Sequence, residues 1–471
     1  MLRNKLIYVL LLSILVLKVD GVAIYKDRKP NIIILLIDDA GYADFGFAGS
    51  KDIKTPNIDK LAEMGVVFTN AYVASSVCGP SRAGLMTGRY PQRFGFECNP
   101  PEHFSGILLS ELTMGNRMKK AGYTTAAFGK WHLGDEPEHR PNARGFDYFW
   151  GFLAGSRHYF SNAQNDQPGE THCIRENDTF TNFEGYLTDR LADKAVDFIE
   201  NNKENPFFIY WAPNAVHTPL EATPEDLELF KGQPRQMLAA MSWALDRAIG
   251  RIEDKLEEEN LLDNTLIFFL SDNGGAHNNQ SSNYPLKGFK GNSYEGGMRV
   301  PFVVYWPAKF NGGRHYDGLT SSLDILATSL DAAGALANKT DRLDGTSLIP
   351  FLTGEKKGEP HEKLFWRKGD AATVRIGDYK LIRVDRLGQR LYNLEKNLGE
   401  DIDLIEKEPE KSSDLNTKLD NWEKQMIPPL WTEGAIWDTI TWMIHQDLFN
   451  NRQVRVANPK ELKEYLRDLE K

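Results

Sequence analysis

Two stretches of this chain are apolar after a single polar residue at the start, Asn31-Ile32-Ile33-Ile34-Leu35-Leu36-Ile37 and Thr265-Leu266-Ile267-Phe268-Phe269-Leu270. Neither alternates with polar residues, so neither has a face for water. Strands of that texture are buried on both sides, as central strands of a parallel sheet are. Pro206 to Trp211 and Pro301 to Trp306 read the same way, with helical stretches between, notably Tyr186 to Asn201 and Gln236 to Glu258. The alternation predicts an α/β fold, a large mostly parallel sheet sandwiched by helices. Past residue 355 short strands follow one another closely (Lys363 to Arg367, Ala372 to Ile376, Tyr379 to Val384, Arg390 to Leu394), which predicts a smaller C-terminal antiparallel-sheet subdomain. The expected division is 24–355 for the α/β domain and 356–471 for an α+β subdomain, with the polar link Thr353-Gly354-Glu355 between them.

The first 23 residues have their own pattern. A basic start (Arg3, Lys5), an apolar run from Leu6 to Leu17 and the ending Gly21-Val22-Ala23 read as a secretory signal cut after Ala23. The run is too short to span a bilayer, so an exported protein without stable membrane insertion, periplasmic or secreted, is expected. The 471-residue chain has a net charge of −10, and loss of three basic residues and one acidic residue with the leader brings it to about −12. Such a surface gains nothing from a nucleic-acid backbone, so that partner is not expected. An anionic substrate would have to be drawn by a local basic pocket. The three cysteines, Cys78, Cys98 and Cys173, form no disulfide framework, though the last two are free to pair.

The ends of the apolar strands carry the first chemistry. One runs into Asp38-Asp39 and the other into Ser271-Asp272-Asn273-Gly274-Gly275. Sites in open α/β sheets form at the carboxyl ends of strands, and carboxylates gathered there repel one another unless a cation holds them. An all-oxygen set favours calcium or magnesium over zinc, and calcium tolerates more carboxylates. The second feature is Val77-Cys78-Gly79-Pro80-Ser81-Arg82-Ala83-Gly84-Leu85-Met86-Thr87-Gly88-Arg89. Pro80 suits the first position of a helix and Gly88 the residue past its end. Cys78 then lies at a helix N-terminus, where free N–H groups favour an anion, and Arg82 one turn on adds a fork-shaped cation. Third, Lys130 and His132 in Gly129-Lys130-Trp131-His132-Leu133-Gly134 are two apart, which in an extended segment turns both to one side. His217 follows a buried strand in Ala215-Val216-His217-Thr218-Pro219, and Lys290 stands in a glycine-rich segment ending Tyr294-Glu295-Gly296-Gly297-Met298-Arg299. Flexible backbone there would let Lys290 approach an anion, with Lys287 as a second candidate.

Cys78-x-Pro80-Ser81-Arg82 followed by Leu85-x-Thr87-Gly88-Arg89 resembles the signature of the type I sulfatases, relatives of alkaline phosphatase, and Gly129-Lys130-Trp131-His132-Leu133-Gly134 resembles their second signature. The resemblance spans Asp38 to Arg299. It implies that Cys78 is converted to formylglycine by a formylglycine-generating or sulfatase-maturating enzyme, and that its hydrate attacks sulfur. It implies one calcium ion on Asp38, Asp39, Asp272 and Asn273, with residue 78 completing the set. Arg82, Lys130 and Lys290 would balance the sulfate charge, His217 with Lys290 would protonate the leaving oxygen, and His132 would expel sulfate. The implied substrate is a sulfated carbohydrate of algal or glycosaminoglycan type, touched by Lys130, His217 and Lys290. Trp131, Arg157, His158, Tyr159 and His277, close to the motifs or in loops, are candidates to hold its ring. Two rivals stand beside this reading: a phosphate or phosphonate ester hydrolase of the same superfamily, and a non-catalytic sulfated-glycan-binding protein.

Overall fold

The computed structural model describes residues 28–101, 106–163, 166–335 and 342–469. The expected leader, 1–23, lies outside the described residues. Ten strands form the main sheet. Side by side they run Arg314–Tyr316, Val66–Phe68, Phe302–Tyr305, Thr265–Ser271, Asn31–Ile37, Phe207–Ala212, Thr124–Lys130, Tyr148–Phe152, Arg175–Glu176 and Thr179–Phe180. The five from Thr265–Ser271 to Tyr148–Phe152 are parallel. The Phe302–Tyr305 strand, which reads like the others in sequence, pairs antiparallel with Thr265–Ser271 and with Val66–Phe68. Burial on both faces leaves direction unspecified, so an apolar run alone does not separate the two cases.

The central strand sends its side chains alternately to two cores. Ile33, Leu35 and Ile37 meet Leu187, Leu191 and Ala195 of the Leu187–Asn202 helix and Ala244, Leu245 and Ile249 of Gln236–Glu258. Ile32, Ile34 and Leu36 belong with Ala83, Leu85 and Met86 of the Cys78–Thr87 helix and with Ile325 and Leu326 of Asp324–Ala332. Because neighbouring strands are parallel, Asp38, Lys130, Asp272 and the turn leading to His217 all emerge at one edge of the sheet.

The four strands Lys363–Lys368, Ala371–Ile376, Tyr379–Val384 and Gly388–Asn393 form a separate antiparallel sheet. One face packs Val374, Leu381 and Leu391 on Leu415 and Leu419 of the Pro409–Glu423 helix, together with Ala74, Tyr90 and Leu323 from the larger part. The other packs Ile382, Val384 and Tyr392 on Ile440, Ile444 and Leu448 of the Ala435–Phe449 helix, with Tyr294 beside them. A fully buried ion network joins this sheet to the turn after Lys290. Lys380 Nζ is 2.9 Å from both Glu295 Oε1 and Glu400 Oε1. The Glu295 N–H donates to Glu400 Oε2 at 2.7 Å, and the Tyr72 hydroxyl donates to Glu295 Oε2 at 2.5 Å. Burial raises the Glu295 carboxyl, but Lys380, Arg375 and Arg299 outweigh it and hold it down to about 2. Burial dominates at Glu400 and pushes it up to about 7. Among the described residues no helix is long and apolar enough to cross a membrane.

Removing one partner from a buried ion set leaves uncompensated charge, at about 3–5 kcal/mol. Lys380→Met should lower the unfolding free energy obtained from urea titration by that order. Lys363→Met, on an exposed position of the same sheet, should shift stability by no more than about 0.5 kcal/mol.

Candidate active site

Cys78 opens the Cys78–Thr87 helix as its first residue, and Gly88 closes it at φ 64°, the left-handed conformation that favours glycine. Pro80 is the third residue of the helix rather than the first. Its missing N–H still falls in the first turn, where none would be bonded. All ten residues of the helix are buried. One turn in, Arg82 donates from Nε to Asp272 Oδ2 at 2.9 Å, its Nη2 lies 2.8 Å from the same oxygen and 3.7 Å from Asp38 Oδ2, and its Nη1 donates to the Lys130 carbonyl at 3.1 Å.

The strand ends supply the matching charges. Lys130 Nζ is 2.7 Å from Asp38 Oδ2. Lys290 Nζ lies 2.7 and 2.8 Å from the two oxygens of Asp39, and Asn273 Nδ2 donates to Asp39 Oδ1 at 2.7 Å. Asp39 is held at φ 62°, and its N–H donates to Asp272 Oδ1 at 3.3 Å. Ligand atoms of Asp38, Asp39, Cys78 and His217 all lie within 4.8 Å of one another. Burial pushes the Asp38 carboxyl up to about 7, assisted by Asp272 and opposed by Lys130 and Arg82. Asp39 is the opposite case: burial raises it, but Lys290, His217 and Lys130 prevail and hold it below the usual carboxylate range. Burial also pushes the Cys78 thiol up. Two buried acceptors, Asp38 Oδ1 and Asn273 Oδ1, have no hydrogen bond among the described residues. Buried oxygens without donors, beside crowded carboxylates, fit a hard cation, which Asp38, Asp39, Asp272 and Asn273 would hold with residue 78.

The histidines arrive by different routes. His217 Nδ1 lies 2.5 Å from the Thr218 carbonyl, so Nδ1 carries the proton and Nε2, 3.5 Å from Asp39 Oδ2, is the free position. Burial takes its pKa down to about 3 in spite of Asp39. The Tyr159 hydroxyl props this turn by donating to the carbonyls of Asn214 and His217, at 2.5 and 2.8 Å. His132 does not reach the site by strand alternation. The strand ends at Lys130, and His132 turns at φ 59°. Its ring lies among the fields of Lys130, Arg82, Lys290 and His217, and burial first, then Lys130, drives its pKa well below the ordinary value. Its Nδ1 is buried without a partner among the described residues. Two non-glycine residues in the left-handed region at one site are backbone strain concentrated at chemistry.

Close backbone contacts hold the glycine-rich segment in place, and Gly288 and Gly291 adopt positive φ there (82° and 90°). A Cβ on Gly274 would stand 1.8 Å from the Gly296 carbonyl oxygen, and one on Gly296 2.3 Å from that of Gly288. These contacts, with Lys290 N–H on the Gly275 carbonyl (3.1 Å) and Gly291 N–H on the Ser76 carbonyl (2.8 Å), fix the Lys290 turn against the segment leading into Cys78. Lys287 faces away. Its Nζ donates to the Glu400 carbonyl at 3.1 Å and lies over the Tyr294 ring.

Asp39, His217 and Lys290 line one end of a cleft of about 450 Å³, within the range of small-ligand sites. Of the five residues expected to hold a sugar, His277 alone lines it. Trp131 and Tyr159 are buried packing residues, and Arg157 is buried against Asp166 at 3.0 Å. His158 Nδ1 is 2.7 Å from Glu221 Oε1, outside the cleft lining. The cleft is also lined by residues not singled out in sequence, among them Lys368, Glu433, Trp437, Ile440 and Thr441. The one available signal was the apolar run within 435–449, which reads equally as a core helix. Cys98 and Cys173 are free and buried, without a bridge between them.

The family model described as Sulfatase matches residues 30–335, and that described as N-sulphoglucosamine sulphohydrolase, C-terminal, matches 289–425. N-acetylgalactosamine-6-sulfatase of Homo sapiens is 34% identical over 382 residues, covering 75% of this chain and 71% of that protein. The crystal structure of Ps i-CgsB in complex with k-i-k-neocarrahexaose superposes with a TM-score of 0.82 at 37% identity, over 88% of this chain and 97% of the other. PsFucS1 sulfatase from Pseudoalteromonas sp. gives 0.73 at 26% identity, over 84% and 90%.

An acid whose pKa is raised in the folded state stabilises the protein below its unfolded value and loses that contribution as pH rises through the folded value. For Asp38 the window runs from about 4 to about 7. In chelator-treated protein, Asp38→Asn should therefore gain thermal stability relative to wild type as pH goes from 5 to 8. The difference in melting temperature between the two proteins, followed across that range, checks it.

Proposed function

The chain belongs to the sulfatase family, and on that footing we propose that it hydrolyses sulfate monoesters on a sulfated carbohydrate, using residue 78 as nucleophile and one calcium ion. The observation that carries this reading is the meeting, at one sheet edge, of a helix-start cysteine with three cations and three carboxylates. A sulfate monoester resists water because the attacked sulfur is shielded by negative oxygens, so catalysis needs charge already in place and a good nucleophile. Calcium, when bound, neutralises carboxylate and sulfate charge together. As formylglycine hydrate, residue 78 supplies an oxygen nucleophile and a second hydroxyl through which sulfate can be released. The buried, raised thiol of Cys78 is a poor nucleophile as it stands.

The chain's own residues do the rest. Arg82 stays locked on Asp272 as a fixed positive fork. With the carboxylates engaged by an ion, Lys130 and Lys290 are free to turn toward sulfate oxygens. His217 presents Nε2 to the cleft and is neutral in the free protein, so its role as acid requires a proton taken up together with the anionic substrate. His132, neutral and with Nδ1 unpartnered, is suited to accept a proton from the residue 78 hydroxyl. The leader pattern of residues 1–23 supports export, and the Cys78 motif a maturating enzyme as partner.

Mass spectrometry of the peptide containing residue 78, from a host with the maturing enzyme, should show the aldehyde. Metal analysis should find about one calcium per chain, with activity lost on chelation and recovered on adding calcium. Cys78→Ala should keep the fold and lose turnover by a factor of about 10³ or more. Full activity with thiol at position 78, or zinc at full occupancy, would overturn the assignment.

His217→Ala should cut turnover of a sulfated oligosaccharide by about 10²–10⁴ and that of 4-nitrophenyl sulfate far less, because an alkoxide needs protonation and a phenoxide scarcely does. Equal losses on the two substrates would remove His217 from the acid role.

A further inference from the structure

The cleft lined by Asp39, His217 and Lys290 is lined as well by residues of the C-terminal segment. Trp437 is 42% exposed there, while Ile440 and Ile444 on the same helix are buried against the C-terminal sheet. Trp437, Ile440 and Ile444 are spaced i, i+3, i+7 on one face of the helix and all line the cleft; the two isoleucines also anchor the helix to the C-terminal sheet, which leaves the indole open to the cleft. The charge beside it is already spent: Lys368 Nζ is 2.7 Å from Glu433 Oε2 and 3.4 Å from Thr441 Oγ1, with both ionic side chains about one-tenth exposed. Asp438, one residue on from Trp437, lies with the same two groups in a neighbouring recess. This part of the cleft lining therefore carries one cation already paired with one carboxylate, with Asp370 and Asp438 in the adjoining recess, whereas Lys290 lines the cleft together with Asp39 and His217.

We propose that Trp437, Glu433 and Lys368 form a second subsite, which takes the sugar unit next to the sulfated one and selects a neighbouring ring without charge of its own. This rests on the carbohydrate-sulfatase reading above. An indole offers a flat apolar surface to the C–H face of a pyranose and costs little side-chain entropy to hold. Glu433 accepts and Lys368 donates, so the pair can bond ring hydroxyls without leaving a buried charge unmatched. A carboxylate or sulfate on that ring would meet Glu433, with Asp438 in the adjoining recess, and no unpaired cation among the described residues that line this part of the cleft; like charges in a shielded cleft repel. Continuity with the sulfate end fixes the occupant as part of the same substrate chain rather than a separate ligand.

The test uses κ-carrageenan oligosaccharides (uncharged neighbour), ι-carrageenan oligosaccharides (sulfated neighbour), chondroitin 6-sulfate oligosaccharides (carboxylate neighbour) and 4-nitrophenyl sulfate. Among the sugars, wild type should favour the uncharged neighbour in kcat/KM by about tenfold or more. Trp437→Ala should raise KM for that substrate about tenfold more than KM for the aryl sulfate, and Trp437→Phe should restore most of the loss. Glu433→Gln frees the Lys368 charge and should narrow the preference against the charged neighbours. The proposal is overturned if the best sugar has a charged neighbour, if none of the sugars is turned over while 4-nitrophenyl sulfate is, if Trp437→Ala moves both KM values alike, or if Glu433→Gln leaves the preference unchanged. Absence of turnover on all four substrates by protein carrying the residue 78 aldehyde would instead overturn the sulfatase reading.

Discussion

Three carboxylates are buried together where parallel strands end, and the rest of the site is the answer to that repulsion. Asp38, Asp39 and Asp272 are each nearly inaccessible to solvent, and a buried ion is tolerated only with partners. Arg82 binds two of them from the start of a helix on one face of the sheet, Lys130 arrives on a neighbouring strand and Lys290 on a turn held by close glycine contacts. Each cation comes from a different element, so the charges come together only when helix, strands and turn are all in place. The oxygens left over, on Asp38 and Asn273, are those that fit a metal ion. Folding and the assembly of an anion site are here one event.

Much of this was legible in the chain. A run such as Asn31–Ile37 has no polar face, so it had to be central, and the acids after it had to lie at a strand end. The motif around Cys78 carried its helix, with Gly88 at the stop. What stayed hidden depended on tertiary context. The Phe302–Tyr305 run looks like a parallel strand because direction leaves no mark on a strand covered on both faces. Trp131 and Tyr159 looked available to a sugar because aromatic residues near a motif serve packing and binding alike, and burial separates the two. The glycines before Arg299 suggested suppleness, whereas the structure uses them to bring backbones within contact. Part of the cleft is lined by Lys368 and by residues within 432–458, well beyond the motifs in sequence, and no local pattern announces such a meeting.

The histidines show how far geometry revises a pattern. Lys130 and His132 converge although the strand between them has ended, because His132 adopts a left-handed conformation rather than continuing the pleat. His217 is fixed by its own neighbour's carbonyl, which settles which nitrogen is free. Both rings are neutral in the buried site, so any charge they acquire has to arrive with the reacting group.

The Lys380 network has a consequence for how such a chain can be altered by recombination. Lys380 belongs to the C-terminal sheet, Glu295 to the turn after Lys290, and Glu400 to the loop beyond the last strand of that sheet. A C-terminal third transplanted from a relative, with the aim of changing the wall of the cleft, carries one half of this charge set into a host holding the other. Its acceptance is then decided partly at Glu295, a residue outside the exchanged segment but in direct contact with it. The buried ammonium acts alongside other links between the parts, such as Trp366 Nε1–H on the Val73 carbonyl; a crossover before Glu295 keeps the Lys380 set whole, whereas one at the polar link near residue 354 splits it.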